Sequence, residues 1–497
     1  MGIIGRQGFK KTVISYFGVL IGLISTLYIY PLEETLYGVA RFLISMAALL
    51  IPVLTFGTNS LVVRFFPVFR DKDTGHHGFL GFLFLITTVC FLILGSLMYI
   101  WRDAFYGILR SINMDVKVFS ENVLETGILA FITALSIVTT LYISNFKRIV
   151  VPGIFNSVYL KIGLPILIIL IYFHLILESH FKWGLILIQL LILLSLIVYT
   201  YKLGELYLKP NFSFISKKLL GRMSSYSFQG VFASLGSTVA FRIDTIMTAS
   251  LLGFSSTGIF SIADNIAGII ASPYQSIKEI SAPIIAQNLY DGDMEKVKKL
   301  YKSSSIALSI IGWGMLICTY VSLESIFSLS SKYDVLIQGK YVVLLLGLAR
   351  VVDMSGGLND HIISYSSIYK WNVLLILMLG VINISLNYYL IPRFGINGAA
   401  MATLISMSMY NISKFVFVWF RFRMQPFSMT HLAVIAVGAV AFLLGYTIPE
   451  SGFALLDILS KSGTTALVFG GVVLYFNLSP DITSMVANLK NRFQRLI

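Results

Sequence analysis

Charged side chains interrupt stretches of this sequence that are otherwise long and apolar. Twelve of them lie well inside such stretches, with hydrophobic residues on both sides. In a stretch that crosses a bilayer, a charge at the centre costs at least ~2.5 kcal/mol and has to face protein or water. Twelve such residues together predict a polar cavity between helices. The bases are Arg41, Arg64, Lys161, Arg242, Lys278, Arg350 and Lys414, and the acids are Asp244, Asp264, Glu279, Asp353 and Asp360.

The depth of each charge follows from the rise of ~1.5 Å per helical residue. For the long bases of the inner half, snorkelling to the interface is the alternative to a place in the cavity. Lys161 and Arg350 have no interface within easy reach, so we expect both to face the cavity. The residues expected near the bilayer centre are Lys161, Asp264, Arg350 and Asp353; those of the outer half are Arg41, Arg242 and Asp244; those of the inner half are Arg64, Lys278, Glu279, Asp360 and Lys414.

Spacing along the helices predicts partial neutralisation of these charges. Arg350 and Asp353 are three residues apart, so pairing between them is one alternative. Arg242 and Asp244 are two apart, point to different sides of their helix and need partners on other helices. Seven bases against five acids leave two bases in excess. An excess of positive charge favours binding of an anionic group such as a diphosphate over an organic cation.

Aromatic and histidine side chains add weaker candidates. Tyr226, Phe228 and Tyr274 could stack on a sugar, with packing inside the protein as the alternative. The adjacent histidines His76 and His77 occupy a polar loop, where we expect them to be solvated.

The composition decides which class of protein holds these charges. Of the 497 residues, 57% are hydrophobic and 12% are charged, and the mean hydropathy is +0.85. Soluble domains carry roughly 25% charged residues, so a water-soluble enzyme and a disordered or collagen-like chain are excluded. The net charge of +14 is typical of cytoplasmic loops that face anionic lipid, and no nucleic-acid partner is predicted. Cys90 and Cys318 lie in apolar runs, and no P-loop or metal-ligand cluster occurs, so no cofactor, metal or catalytic residue is predicted.

Apolar stretches of ~20 residues predict about fourteen membrane-spanning helices and hence an all-α polytopic membrane protein. Loops on the side of the N-terminus collect 22 Lys and Arg residues, the other side eight and the spans seven, which accounts for all 37. Because positive loops stay in the cytoplasm, both termini are predicted to be cytoplasmic. The predicted spans are 10–30, 38–66, 79–100, 122–144, 150–173, 183–200, 219–250, 255–288, 303–326, 341–366, 371–391, 397–420, 429–447 and 463–479.

The spans fall into two similar halves. Gly38 near the start of the second span and Gly258 near the start of the eighth are 220 residues apart, and Pro52 and Pro273 are 221 apart. The near-constant offset predicts a duplication with its axis along the membrane normal, and chance recurrence of Gly and Pro is the alternative. The predicted parts are an N-terminal six-helix lobe at 1–216, a pseudo-symmetric C-terminal six-helix lobe at 217–425, and accessory helices 13 and 14 with a cytoplasmic tail at 426–497.

Several short motifs carry a resemblance to a known family. They are Gly-Arg-Gln-Gly-Phe-Lys-Lys at 5–11, Leu-Tyr-Gly at 36–38, Phe-Arg-Ile-Asp at 241–244, Thr-Gly-Ile-Phe-Ser-Ile-Ala at 257–263, Ile-Pro at 391–392 and Gly-Ile-Asn-Gly-Ala-Ala at 395–400. With the plan of six, six and two helices, the chain resembles the multidrug/oligosaccharidyl-lipid/polysaccharide (MOP) exporter superfamily over nearly its whole length. Its polysaccharide biosynthesis branch, the Wzx-like flippases of O-antigen and other repeat units, is the most similar.

The resemblance implies a transporter and not an enzyme. Such a flippase moves an undecaprenyl-diphosphate-linked oligosaccharide, as in lipopolysaccharide synthesis, across the bacterial plasma (inner) membrane by alternating access through a cationic cavity. It also implies membrane lipids and glycan polymerases as partners, and H⁺ or Na⁺ coupling as one energy source. By that likeness the cavity cations that bind substrate would be Arg41, Arg64, Lys161, Arg242, Lys278 and Arg350, and the residues for coupling or ion pairing would be Asp244, Asp264, Asp353 and Asp360.

Other functions stay open at this point. An ion-coupled multidrug exporter or a lipid II flippase would have the same fold. A membrane-embedded glycan polymerase or ligase is disfavoured, because every loop between the predicted spans is short. A scaffold without transport activity would not account for twelve intramembrane charges.

Overall fold

The structure, a computed structural model, describes residues 18–148 and 150–494, and in this part every regular element is a helix. The motif at 5–11 lies outside the described residues. A first helix, α1 (18–24), continues through a π-helical turn at Ser25–Ile29 and a 3-10 turn at Tyr30–Glu33. The remaining helices are α2 (Glu34–Leu54), α3 (Thr58–Phe69), α4 (Phe79–Ile100), α5 (Arg102–Ser111), α6 (Val116–Ser120), α7 (Val123–Ser144), α8 (Val150–Tyr172), α9 (Phe181–Lys202), α10 (Lys217–Leu252), α11 (Phe254–Ile270), α12 (Ser272–Tyr290), α13 (Met294–Val321), α14 (Leu323–Phe327), α15 (Tyr333–Ile337), α16 (Lys340–Ser355), α17 (Asn359–Tyr365), α18 (Lys370–Phe422), α19 (Met429–Tyr446), α20 (Ala454–Tyr475) and α21 (Pro480–Gln494).

Many of these helices are long and apolar enough to cross a membrane. Within the described ranges, nine qualify by length and composition, or up to eleven if each bent pair forms one span. A helix satisfies all of its backbone hydrogen bonds internally, which lipid requires. The all-α polytopic class is thus confirmed, whereas the count of fourteen and the side of the termini stay predictions. Two of the nine, Gly18–Leu54 with 37 residues and Lys370–Phe422 with 53, exceed the ~20 residues of one span.

Breaks in the helices lie at glycine and proline. In α18, Gly395 has φ 59° and ψ −139°, a conformation outside the helical region that glycine adopts easily. The bend of 53° between α16 and α17 occurs at Gly356 and Gly357. The bend of 49° between α11 and α12 immediately precedes Pro273. Pro165, by contrast, lies inside α8 without a break.

Contacts group the chain into two compact units, 1–261 and 262–497, so the division falls inside α11. In the first unit, α3, α4, α7 and α10 enclose a core that includes Phe66, Phe79 and Tyr142. In the second, α19 and α20 pack on α13 through a cluster that includes Ile317 and Phe469. The predicted lobes at 1–216 and 217–425 and the accessory part at 426–497 stay predictions.

The two glycines of the sequence repeat meet within the first unit. A Cβ atom on Gly38 would overlap the carbonyl oxygen of Phe254, and one on Gly258 would overlap that of Glu34. Both contacts join positions 220 residues apart, so the same contact is made twice in opposite senses. Two duplicated halves would produce such a reciprocal contact, and the duplication itself stays a prediction.

A Gly258→Ala substitution should therefore weaken the fold. Backbone atoms of α2 would have to move to admit the methyl group, and overpacking of this kind costs about 1–3 kcal/mol. We expect a lower midpoint of thermal unfolding for the purified protein in detergent. Gly268→Ala is the matched control on the same helix, because a Cβ atom there meets none of the described residues within 4 Å. Equal midpoints for the two variants would show that the close contact is absent.

Candidate functional site

The second unit contains a network of four charged side chains from four helical segments. The Lys414 Nζ atom on α18 lies 2.9 Å from Asp360 Oδ1 on α17 and 3.4 Å from Asp353 Oδ1 on α16. Lys278 on α12 binds the other oxygen of Asp360 at 2.8 Å. The Lys414 side chain is 0% exposed, so the snorkelling alternative for this residue is wrong. The network is electrically balanced, with two bases and two acids.

A separate ion pair joins α16 to α11. Arg350 Nη2 lies 3.1 Å from Asp264 Oδ1, and both side chains are about a quarter exposed, at 26% and 28%. The suggested pairing of Arg350 with Asp353 is therefore wrong. Residues three apart on a helix differ by about 60° in direction, which suffices here for Arg350 to face α11 while Asp353 faces α18.

Aromatic side chains close around the network. Lys414 Nζ lies 4.1 Å from the ring centroid of Tyr410, and Lys278 Nζ lies 4.9 Å from that of Tyr274. Tyr274 is 1% exposed and its hydroxyl donates to the Gly357 carbonyl at 3.2 Å. Tyr274 is thus a packing residue that supports the bend between α16 and α17, and sugar has no access to its ring. The ring faces also stabilise the two ammonium groups by cation–π attraction.

The first unit holds its intramembrane bases differently. Lys161 lies at the middle of α8, is half-buried, and forms no ion pair with any residue in the described ranges. Its Nζ atom lies beside α1, since a Cβ on Gly18 would be 3.2 Å away from it. Arg41 on α2 and Arg242 on α10 are also partly buried, and Asp244 is buried at 8% exposure.

The charges of the predicted spans divide unevenly between the units. The first unit has four of the bases and one acid, whereas the second has three bases and four acids. In the second unit, each of its three bases takes part in an ion pair. The positive excess therefore belongs to the first unit alone. The bases of the first unit are Arg41, Arg64, Lys161 and Arg242, and its acid is Asp244.

An open cavity of ≈ 740 Å³ lies between α3 and the first turns of α10. We call it the α3–α10 cavity. Three bases reach it, and the Arg64 guanidinium lies 4.2 Å from the ring centroid of Tyr226. From the sequence, Arg64 is a predicted intramembrane base, whereas Lys218 and Arg222 belong to the 22 bases counted on the side of the N-terminus. Their spacing of four residues with Tyr226 is the sequence signal that places the three on one helix face. The lining residues are Arg64, Phe65, Val68, Lys218, Gly221, Arg222, Ser225 and Tyr226.

The loop histidines correct another expectation. His76 is 1% exposed, and its Nε2 atom lies 2.7 Å from Glu205 Oε2. Its Nδ1 atom accepts the backbone N–H of Asp71 at 3.1 Å, so Nε2 carries the proton and donates to the carboxylate. His76 is therefore a buried link between two loops, not a solvated side chain. Nearby, the Thr74 hydroxyl donates to the carboxylate of Asp71, which lowers the pKa of Asp71.

Comparison with known proteins identifies a matching family and solved structures with a similar fold. A family model described as polysaccharide biosynthesis protein matches residues 7–289. The chain is similar to the lipid II flippase MurJ in an inward closed conformation, with 13% identity, 94% of this chain and 99% of that chain covered, and a TM-score of 0.69. It is also similar to an inward-facing multidrug resistance MATE family transporter of the MOP superfamily (14% identity, 82% and 94% covered, TM-score 0.63). A MOP superfamily transporter from Pyrococcus furiosus Vc1 is a third (14% identity, 84% and 94% covered, TM-score 0.53).

No curated protein matches the sequence. The chain shares its fold with these solved structures, which agrees with the polytopic helices described above. The family match spans more than half of the 497 residues. On that basis, the protein belongs to the polysaccharide biosynthesis protein family.

Proposed function

We propose that this protein is a flippase that moves an undecaprenyl-diphosphate-linked oligosaccharide repeat unit across the bacterial inner membrane by alternating access. The observation that carries the proposal is the positive excess of the first unit, four intramembrane bases against one acid. Lys161, half-buried at the middle of α8 and without an ion pair to any residue in the described ranges, needs an anion or water to compensate its charge. A diphosphate supplies two negative charges and several acceptor oxygens for Arg and Lys.

Within this proposal the bases have two different roles. Arg41, Arg64, Lys161 and Arg242 bind the head group of the cargo. Lys278 and Arg350 are instead held in ion pairs with Asp360 and Asp264, which balance their charges. Asp353 shares Lys414 with Asp360 and belongs to the same balanced network.

Neighbouring functions of the fold are the competing outcomes. MurJ is named a lipid II flippase, and lipid II is itself a saccharide on a lipid diphosphate, so the same charge argument would serve it. A multidrug exporter of organic cations fits less well, because Asp264, Asp353 and Asp360 already bind bases. Coupling to H⁺ or Na⁺, with Asp244 as the candidate acid, and association with a glycan polymerase complete the proposal.

Deletion of the gene in its host tests the function directly. We expect surface glycan such as O-antigen to disappear and the lipid-linked repeat unit to accumulate in the inner leaflet, with both defects reversed by the parent gene. Lethal loss of cell wall would instead indicate lipid II as the cargo. Drug hypersensitivity with normal surface glycan would indicate a multidrug exporter. Unchanged glycan without accumulated repeat unit would refute the proposed cargo.

A further inference from the structure

We propose that the α3–α10 cavity binds a lipid head group that carries two phosphates, at the cytoplasmic surface of the membrane. Two lipids have this chemistry, a polyprenyl diphosphate and a phospholipid with two phosphates. The polyprenyl source rests on the proposed function, whereas the phospholipid source does not.

The charge of the cavity points to an anion. Arg64, Lys218 and Arg222 line it, and among the residues that the structure describes no acidic side chain does. None of the three bases forms an ion pair with an acid in the part of the chain that the structure describes. Three like charges around one open volume repel one another, and a bound anion removes that repulsion. Groups with a single charge would leave part of it uncompensated.

The three bases are also pre-organised for binding a phosphate group. The Arg64 guanidinium lies over the Tyr226 ring at 4.2 Å, which orients its planar donors without neutralising its charge. Lys218 and Arg222 are four residues apart and therefore lie on one face of α10. Both are within the first two turns of this helix of 36 residues, where the backbone dipole is positive. These features favour an oxyanion with several acceptor atoms.

The apolar part of the lining points to a lipid. Phe65 and Val68 share the cavity with the bases, and Val68 is 51% exposed. Inorganic phosphate would gain nothing from this apolar surface, whereas the first carbons of a lipid chain would cover it. The volume of ≈ 740 Å³ exceeds the needs of a single phosphate and lies in the range of small-ligand sites.

The position along the membrane fits a head group. The cavity is at the start of α10, next to the connection from α9 that runs from Lys202 through Lys209 to Lys217. The distribution of positive charge predicts that this connection is cytoplasmic. Basic pockets at this level of a membrane protein attract the head groups of anionic lipids. Lys161, at the middle of its helix, is by contrast too deep for a resident head group.

Binding to the purified full-length protein in phosphatidylcholine nanodiscs tests the proposal. The probes are farnesyl diphosphate, farnesyl monophosphate and cardiolipin. The test variant is R64Q/K218Q/R222Q. The matched control, R70Q/K202Q/K209Q, removes three exposed bases of the same predicted side that do not line the cavity. Size-exclusion chromatography and thermal unfolding verify that both variants are folded. The single variant R64K keeps the positive charge but lacks the planar guanidinium group with its paired N–H donors.

We expect the Kd of a two-phosphate probe to rise about tenfold or more in the test variant, which corresponds to ~1.4 kcal/mol or more. The control should change it by less than about twofold, R64K should be intermediate, and the monophosphate should bind weakly to every variant. If the test variant loses affinity for farnesyl diphosphate alone, the site is assigned to the polyprenyl carrier. If it loses affinity for cardiolipin alone, the site is assigned to resident phospholipid. Equal losses of probe affinity in the test and control variants, or no loss of affinity in the test variant, would overturn the proposal. None of these outcomes depends on transport, so the proposed function can fail separately in the deletion strain.

Discussion

A Lys161→Met variant should transport the lipid-linked cargo about 10- to 100-fold more slowly and yet unfold at a temperature no lower than the parent protein. A charge-assisted hydrogen bond to the cargo is worth about 1.5–3 kcal/mol, which corresponds to that range of rates. The base itself lies at the middle of α8 without an ion pair in the described part of the chain, so its removal relieves a desolvation cost. The rate is measured as flipping of a fluorescent lipid-linked saccharide in proteoliposomes, and stability as the midpoint of thermal unfolding.

Two further variants separate a functional from a structural role for this residue. Lys161→Arg keeps the charge and should retain most of the transport. Lys202→Met removes an exposed base at the end of α9 and should alter neither the rate nor the midpoint. A Lys161→Met protein that transports normally would show that this base does not contact the cargo. A large drop in its midpoint would instead show that Lys161 holds the fold together.

A Lys414→Met variant should have the opposite pattern, with a severe loss of stability. The Lys414 ammonium is fully buried between Asp353 and Asp360, so its removal leaves a negative charge without compensation. Breaking a buried ion pair from one side costs about 3–5 kcal/mol. We expect a strongly lowered unfolding midpoint or failure to accumulate in the membrane.

The double variant Lys414→Met/Asp353→Asn restores the balance of charge, with Lys278 left to neutralise Asp360. It should recover much of the lost stability, because the penalty arises from the unpaired acid and not from the missing base. Lys370→Met at the exposed start of α18 is the matched control and should be neutral. A Lys414→Met protein as stable as this control would mean that the side chain reaches water, as snorkelling would predict.

The sequence was sufficient to predict that charges lie inside apolar helices, and at which residues. Lys161 lies at the centre of α8, and Lys414 lies inside α18. These features depend on hydropathy and local backbone chemistry, which one segment contains by itself. The polytopic class followed from the same information.

The partners of each charge could not be predicted, because they depend on which helices are neighbours. Arg350 binds Asp264 on α11 and not Asp353 on its own helix. Lys414 is buried because α16 and α17 cover it, and no property of α18 alone shows this. His76 is buried for a similar reason, since its partner Glu205 is 129 residues away. Spacing along one helix limits the directions in which its side chains point, but it does not show which neighbouring helix those side chains will contact.

The reciprocal contact of Gly38 and Gly258 has a consequence for the ancestry of the gene. Before a duplication and fusion of the halves, two identical short polypeptides would have met here, with one glycine against the backbone of its twin. Any codon change at that site would have placed two clashes in the same dimer, so selection against it would have acted on both contacts at once. In the fused chain the two codons would mutate independently, but a change at either glycine would still disturb the backbone around the other.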